Sequence, residues 1–243
     1  MSSAKGRPVI EIKQITSGRV LLRIYGDALA GADLTYCNLS HSVLTGWDLS
    51  GANLSNANLT GARLGKAKLV KCYLIDAILF TAQMAQADLT RANLTFANLQ
   101  QADLTKARLA GANLVECKLN EANLSSALLD LADMKNANLR NAKLCSASLV
   151  CTVLRSADLS GADLTGANLR RADLTHSTLN GANLTGADLT SVRMGSAVYD
   201  EQTRWPAGFD PAAQGGLLVR RHPVPARRSW WKLWPLSDKT SAA

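Results

Sequence analysis

The feature that most constrains this chain is a five-residue repeat that runs without a break from Asp33 to Met194. Every fifth residue from position 34 to position 194 is Leu, except for Met at positions 84, 134 and 194. The residue two places before each of these is Ala at 25 of the 33 positions. The intervening residues are mostly small or polar. A single regular architecture must therefore account for this whole stretch.

A period of five fits neither of the ordinary secondary structures. An α-helix turns about 100° per residue, so a step of five would rotate successive leucines by about 140° and form no apolar stripe. In a flat strand an odd step would send successive leucines to opposite faces. The period instead predicts a chain that bends once per repeat, with Leu and the preceding Ala pointing inward. Such repeats bury their apolar side only by stacking on neighbours, so the sequence predicts a solenoid.

The core of this solenoid is expected to be a ladder of Leu with small residues between the rungs. Gly falls mainly at the second residue after Leu, where a tight corner favours positive φ. No Pro occurs between Pro8 and Pro206, in agreement with continuous backbone hydrogen bonding. Representative core positions are Leu94, Leu114, Leu164, Leu184, Ala92 and Ala112.

The motif A-(D/N)-L-x-x, as in residues 162–166 (Ala-Asp-Leu-Thr-Gly), resembles the pentapeptide-repeat family. The resemblance implies an all-β fold, a right-handed quadrilateral β-helix with four repeats in each coil. With coils stacked at a strand spacing of about 4.8 Å, about eight coils would form a rod of about 40 Å. Members with protruding loops carry insertions that shift the repeat, and none occurs between residues 33 and 194.

Both ends of the repeat are expected to carry caps, because a solenoid leaves unpaired backbone at its ends. Apolar runs at 9–13 and 20–24 flank a Gly-containing turn and predict an N-terminal β-hairpin cap. Residues 203–211 are similar to a terminal segment of the family and are expected to lay Trp205 and Phe209 over the last coil. The chain is therefore divided into an N-terminal hairpin cap (1–28), the β-helix (29–199), a C-terminal cap (200–216) and a basic, Trp-rich tail (217–243).

The charge distribution bears on two activities that involve nucleic acid. The chain has a net charge of +8, but residues 29–199 carry 15 Lys and Arg against 13 Asp and Glu. For some members the family resemblance implies mimicry of duplex DNA and modulation of DNA gyrase. Such mimicry requires a strongly acidic face, and the near-neutral rod disfavours it. Direct binding of nucleic acid is also disfavoured, because basic and acidic residues are interspersed.

One cluster of apolar residues interrupts the polar outer surface of the predicted rod. With 20 residues per coil, the cluster occupies two adjacent faces and part of the next coil. Exposed apolar patches of this kind mark interaction sites, which makes it a candidate for binding a partner. The alternative is that the hairpin or the tail covers it. The residues are Tyr73, Ile75, Ile78, Phe80 and Phe96.

Two further outward groups are weaker candidates. A second apolar group is as readily explained by scattered surface residues; it comprises Leu128, Leu131, Val150 and Cys151. A basic group beside the first cluster could attract an acidic partner, but ordinary ion pairing with Asp88 and Asp103 is the preferred explanation. The basic group comprises Arg63, Lys66, Lys68, Lys71, Arg91, Lys106 and Arg108.

The tail departs most from the repeat, because it combines tryptophans with basic residues. Trp favours membrane interfaces and Lys and Arg attract anionic headgroups. Trp and Arg are also enriched at the centres of protein interfaces. Membrane binding, partner binding and folding back onto the rod stay open as alternatives. The candidate residues are Arg227, Arg228, Trp230, Trp231 and Trp234.

The sequence offers no catalytic, cofactor or metal site. A catalytic site requires a concave pocket with converging polar groups, which a smooth rod does not predict. The three histidines, His41, His176 and His222, are far apart in the sequence. Five Cys in a long chain do not suggest a disulfide framework, and the expected compartment is the reducing cytoplasm.

We therefore expect a non-catalytic scaffold or adaptor that binds an unidentified protein. The first alternative is an adaptor held peripherally at a membrane by its tail. The second is a DNA-mimic modulator of gyrase, which the charge disfavours. A homodimer stays open, since an uncovered coil end or the apolar cluster could support one.

Overall fold

The computed structural model describes residues 8–219, which form an all-β solenoid with four sides. Parallel backbone bridges join residues that are 20 apart, as in Asp33 with Asn53 and Asn53 with Tyr73. Four five-residue repeats therefore make one coil, as the resemblance implies. Within the described residues the continuous strands lie only at the two ends of the rod.

Each repeat is hydrogen-bonded to the coils on either side of it. The Leu94 N–H donates to the Asn113 carbonyl at 2.7 Å, and the Asn113 N–H donates to the Ala92 carbonyl at 2.9 Å. A third bond closes the corner, from the Ala97 N–H to the Leu94 carbonyl at 2.9 Å. Because the backbone polar groups are satisfied between coils, the rod can stay regular while its outer side chains vary.

The corner residue, two places after each Leu, has a left-handed backbone. Gly51 has φ of 68° and Gly61 has φ of 61°, which confirms the positive φ predicted from the Gly pattern. Lys71 and Arg91 adopt φ of 56° at the same kind of corner, although this conformation costs a non-Gly residue about 1 kcal/mol or more. Stacking of the coils therefore fixes the corner conformation whichever residue occupies it.

The Asp and Asn residues that precede many of the Leu positions stabilise the corners. The Asp163 carboxylate accepts a hydrogen bond from the Thr165 N–H at 3.0 Å, and Asn113 accepts one from the Val115 N–H at 3.1 Å. Hydrogen bonds from the Cys145 thiol and from Thr165 hold the pKa of Asp163 below its ordinary value. These local turns account for the Asp and Asn repeat without any bound ion.

The core is the predicted ladder of Leu and Ala. The representative positions Leu94, Leu114, Leu164, Leu184, Ala92 and Ala112 are all at most 1% exposed. Full burial of one such Leu contributes roughly 2 kcal/mol. Stability should therefore come from many similar contacts spread evenly along the rod.

Cys and Thr replace the inward Ala at a few positions, where they bond to the backbone. The Cys72 thiol donates to the Leu49 carbonyl at 2.6 Å, and the Thr152 hydroxyl donates to the Leu129 carbonyl at 2.9 Å. Burial raises the pKa of Cys72 to about 12. This thiol is therefore a small core residue rather than a reactive group.

Ser177 is also inward and fully buried, but its hydroxyl oxygen has no hydrogen-bond partner among residues 8–219. Most other inward positions carry Ala, which fits the same space without a polar atom. Ser177→Ala is therefore expected to raise the free energy of unfolding by about 1 kcal/mol. Thr152→Ala is the contrasting variant, because it removes a hydrogen bond that is made. Guanidinium unfolding curves that show Ser177→Ala to be destabilising would contradict this prediction.

The N-terminal hairpin caps the first coil. Strand β1 (Val9–Lys13) pairs antiparallel with β2 (Val20–Tyr25). Ile12 is 1% exposed and belongs to the same buried cluster as the leucines. The hairpin joins the first coil through a hydrogen bond from the Ile15 N–H to the His41 carbonyl at 2.8 Å. It therefore covers the apolar end of the rod at residues 41–43.

Aromatic residues close the C-terminal end. The Tyr199 and Trp205 rings meet edge to face at 5.4 Å between centroids, and Trp205 stacks on Phe209 at 5.3 Å. Trp205 and Phe209 are partly buried against the core. The short strands β3 (Val198–Tyr199) and β4 (Leu217–Leu218) pair in parallel beside them. The first residues of the segment assigned to the tail are thus hydrogen-bonded to the solenoid.

Candidate functional site

The outward apolar cluster near the middle of the rod is exposed in the structure. Tyr73 is 51% exposed, Ile78 42%, Phe80 37% and Phe96 47%, while Ile75 is half-buried. Tyr73 and Ile75 lie on one face, Ile78 and Phe80 lie on the next, and Phe96 lies at the corner of the following coil. We call these five residues the apolar patch.

The patch is a local departure from a polar surface. The bridge partners of Tyr73 in the adjacent coils are Asn53 and Asn93, and the bridge partners of Ile78 are Asn58 and Asn98. Amide side chains of the adjacent coils therefore lie directly above and below Tyr73 and Ile78. An apolar group with a polar rim is the usual arrangement of a protein-binding surface.

The hairpin does not cover this patch, because it contacts the first coil at residues 41–43. The second alternative from the sequence, that the tail covers it, concerns residues beyond 219. Arg227, Arg228, Trp230, Trp231 and Trp234 all lie outside the described residues, and their roles stay predictions.

The second apolar group lies on another face, further along the rod. Leu131 is 70% exposed and Leu128 is 39% exposed, whereas Val150 and Cys151 are half-buried. The Leu131 N–H donates to the Val150 carbonyl at 3.0 Å, so these residues occupy adjacent coils. The group is smaller than the apolar patch and has no aromatic residue.

The basic group beside the patch is mostly unpaired, so ordinary ion pairing was the wrong explanation for most of it. Lys68 approaches Asp48 at 3.7 Å and Arg108 approaches Asp88 at 3.7 Å. Asp103 instead accepts hydrogen bonds from the backbone and hydroxyl of Thr105. Within residues 8–219, no carboxylate lies within 4.0 Å of the other five cations, Arg63, Lys66, Lys71, Arg91 and Lys106.

Sequence reasoning missed some exposed apolar residues near the N-terminal end. Tyr25 on β2 is 74% exposed, Tyr36 at the first corner 77% and Val43 41%. Tyr36 lies at the same corner of the rod as Asp76 and Phe96, two coils before Asp76. Its position two residues after a Leu indicates an outward corner and could have identified it as exposed. These side chains are dispersed and do not join the apolar patch.

Two surface depressions at the C-terminal end offer no assembled chemistry. One has a volume of about 430 Å³ and is bordered by Leu189 and Phe209; the other is about 510 Å³ and is bordered by Thr203 and Arg204. Over residues 8–219, no three His, Cys, Asp or Glu side chains form a group that could hold a metal ion. No helix in this part of the chain has the length and apolar character needed to cross a bilayer.

A four-sided β-helix built from A-(D/N)-L-x-x repeats defines a class of structural repeat proteins. The family model "Pentapeptide repeats (8 copies)" matches most of residues 29–197. The matched ranges are 29–65, 57–95, 97–136, 137–175, 152–190 and 167–197. The chain belongs to the pentapeptide-repeat family. The match is to a structural repeat and not to an enzyme family.

Solved structures of other pentapeptide-repeat proteins are similar to this chain. HetL, involved in regulating heterocyst differentiation in Nostoc sp. PCC 7120, is 33% identical over 72% of this chain and 83% of its own, with a TM-score of 0.36. QnrB1, a plasmid-mediated fluoroquinolone resistance protein, is 16% identical over 73% of this chain and 91% of its own, with a TM-score of 0.47. AT2G44920 from the Arabidopsis thaliana thylakoid lumen is 30% identical over 37% and 67%, with a TM-score of 0.32. No curated protein matches the chain.

Proposed function

We propose that this protein is a non-catalytic, rigid scaffold or adaptor that binds another protein through the apolar patch. The observation that carries the proposal is the exposure of Tyr73, Ile78, Phe80 and Phe96 within a polar surface. Aromatic side chains are enriched at the centres of protein interfaces, because they bury a large area with few rotatable bonds. Covering the patch would remove this apolar surface from water.

The backbone around the patch suits a scaffold. The Ile78 N–H donates to the Ala57 carbonyl at 2.9 Å, and the Ile78 carbonyl accepts from the Leu59 N–H at 2.7 Å. The neighbouring Leu74 and Leu79 are fully buried. A partner would therefore meet side chains on a pre-organised backbone, which reduces the ordering cost of binding.

The proposed location is the cytoplasm, because the five cysteines are all free and a reducing compartment keeps them so. HetL has a regulatory role, and a binding function without chemistry is compatible with such a role in a relative of 33% identity. Modulation of gyrase by DNA mimicry is less favoured, because unpaired cations lie beside the apolar patch where a mimic would need acidic residues.

Replacing Ile78 and Phe80 together with Asp is expected to abolish capture of the partner from native lysate. Both side chains point outward from the core and are 42% and 37% exposed, so the fold should be little affected. The matched control is Asn38→Asp with Ser40→Asp, which adds the same charges at the equivalent positions two coils away from Ile78 and Phe80. A partner retained equally by the patch variant and by the control would contradict the proposal.

The second candidate function, attachment to a membrane surface, rests on the tryptophans and arginines of the tail. Co-sedimentation with anionic vesicles should compare the full chain with a deletion of residues 220–243. This deletion spares β4 and the hydrogen bond from the Val219 N–H to the Tyr199 carbonyl at 2.7 Å. Loss of vesicle binding on deletion would support this candidate, and unchanged sedimentation would reject it.

A further inference from the structure

Two cations border the apolar patch along the corner that leads to the neighbouring face. Lys71 precedes Tyr73 by two residues and occupies the corner, with φ of 56°. Arg91 occupies the same corner one coil further on. It lies above Lys71 because the adjacent coils stack in register, as the bridge between Tyr73 and Asn93 shows. Adjacent coils are separated by about 4.8 Å, so the two cations form a short basic edge along the patch.

This edge continues into a basic face. The corner and face around it carry six cations and two carboxylates, which gives a local charge of +4: Lys66, Lys68, Lys71, Arg91, Lys106 and Arg108 against Asp48 and Asp88. The two carboxylates are already engaged by Lys68 and Arg108, at 3.7 Å each. Asp76 lies within the patch, at the corner between Ile75 and Ile78 and beneath Phe96. The patch thus has a cationic edge along Lys71 and Arg91 and a single carboxylate at its central corner.

We propose that the segment of the partner that docks on the apolar patch is an acidic peptide segment, with apolar side chains on the patch and carboxylates facing Lys71 and Arg91. This inference rests on the proposed function and specifies the chemistry of its partner. Attraction between the carboxylates of the partner and these two cations would speed the encounter. It would also disfavour basic partners, because like charges across an interface repel each other.

The apolar side chains favour a peptide over a nucleic acid. A phosphate backbone would use Lys71 and Arg91 but would make no use of the aliphatic Ile75 and Ile78. A peptide that carries both acidic and apolar residues on the side facing the protein would engage both parts of the surface.

The experiment is a selection from a phage-displayed random peptide library on the immobilised full-length chain, with counter-selection on Ile78→Asp/Phe80→Asp. The selected peptides are expected to combine Asp or Glu with aliphatic or aromatic residues. The affinity of one selected peptide is then measured by fluorescence anisotropy at low and high salt. The variants are Lys71→Glu/Arg91→Glu and the matched control Lys135→Glu/Arg155→Glu, two exposed cations that also lie one coil apart.

The edge variant is expected to weaken binding at least about tenfold at low salt, and the loss should shrink at high salt, while the control binds like the wild type. Peptides that require the patch but lack acidic residues, or that bind the edge variant normally, would overturn this inference and leave the proposed function standing. Failure to select any patch-dependent peptide would overturn both. If duplex DNA binds the wild type and the patch variant but not the edge variant, the inference is overturned, because the ligand of the basic edge is then a nucleic acid and not a peptide.

Discussion

Leu104→Ala is expected to lower the free energy of unfolding by about 3–4 kcal/mol. Leu104 is fully buried in the middle of the rod, with Met84 and Leu124 at the equivalent positions of the adjacent coils. The Leu104 N–H donates to the Asn123 carbonyl at 2.7 Å, and the Met84 N–H donates to the Asp103 carbonyl at 2.7 Å. Because these ladders fix the spacing of the coils, the structure cannot easily collapse into the space left by the deleted side chain.

Chemical unfolding of the full-length chain measures this effect, and Leu131→Ala provides the control. Leu131 is 70% exposed at a corner, so its truncation should change stability by less than about 0.5 kcal/mol. Equal effects of the two substitutions would show that the inward ladder does not hold the coils together. An effect confined to Leu104→Ala would support the core described above.

Replacing Trp205 and Phe209 together with Ala is expected to cost about 3 kcal/mol, and the loss should be local to the C-terminal coils. These rings are partly buried and stack at 5.3 Å, and they shield the end of the Leu ladder. In a solenoid each repeat contacts only its neighbours. Removal of a cap therefore frays the nearest coils first.

Hydrogen exchange distinguishes local fraying from global destabilisation. The amides of Leu179 and Leu184, which donate to Val198 and Arg204 at 2.7 Å each, should exchange faster in the variant. The amide of Leu104 should exchange as in the wild type. Uniform acceleration along the rod would contradict the local effect, and unchanged exchange at Leu179 would show that the rings are not a cap.

The repeat itself carried most of the information about the fold. A step of five residues excluded a helix and a flat strand, and the inward Leu and Ala positions are buried as expected. The corner Gly residues indicated positive φ, and the Asp and Asn residues indicated local turns. These features depend on contacts within a repeat or between adjacent coils, which is why a single sequence was enough to predict them.

The charge pairing of the surface was harder to predict. The coil period places Lys68 one coil from Asp48, and these residues do pair, but the same reasoning did not anticipate Asp103. The Asp103 carboxylate turns to its own corner and accepts bonds from Thr105. Competition between a local turn and an ion pair is decided by side-chain geometry, which the residue spacing does not specify.

The ends of the chain were predictable only in part, because they lie outside the repeat. The apolar runs predicted the hairpin, but not which coil edge it would join. Nothing in the spacing indicated that Tyr199 would meet Trp205, or that Leu217–Leu218 would pair with Val198–Tyr199. Such contacts depend on where an irregular segment returns to the rod.

Site-specific photo-crosslinking in cells tests whether the apolar patch binds a protein partner. A photoreactive phenylalanine analogue would replace Phe80 in one variant and Thr105, on a different face, in another. We expect a discrete cross-linked protein adduct from position 80 and none from position 105. The same adduct from both positions, or an adduct from position 105 alone, would contradict the claim.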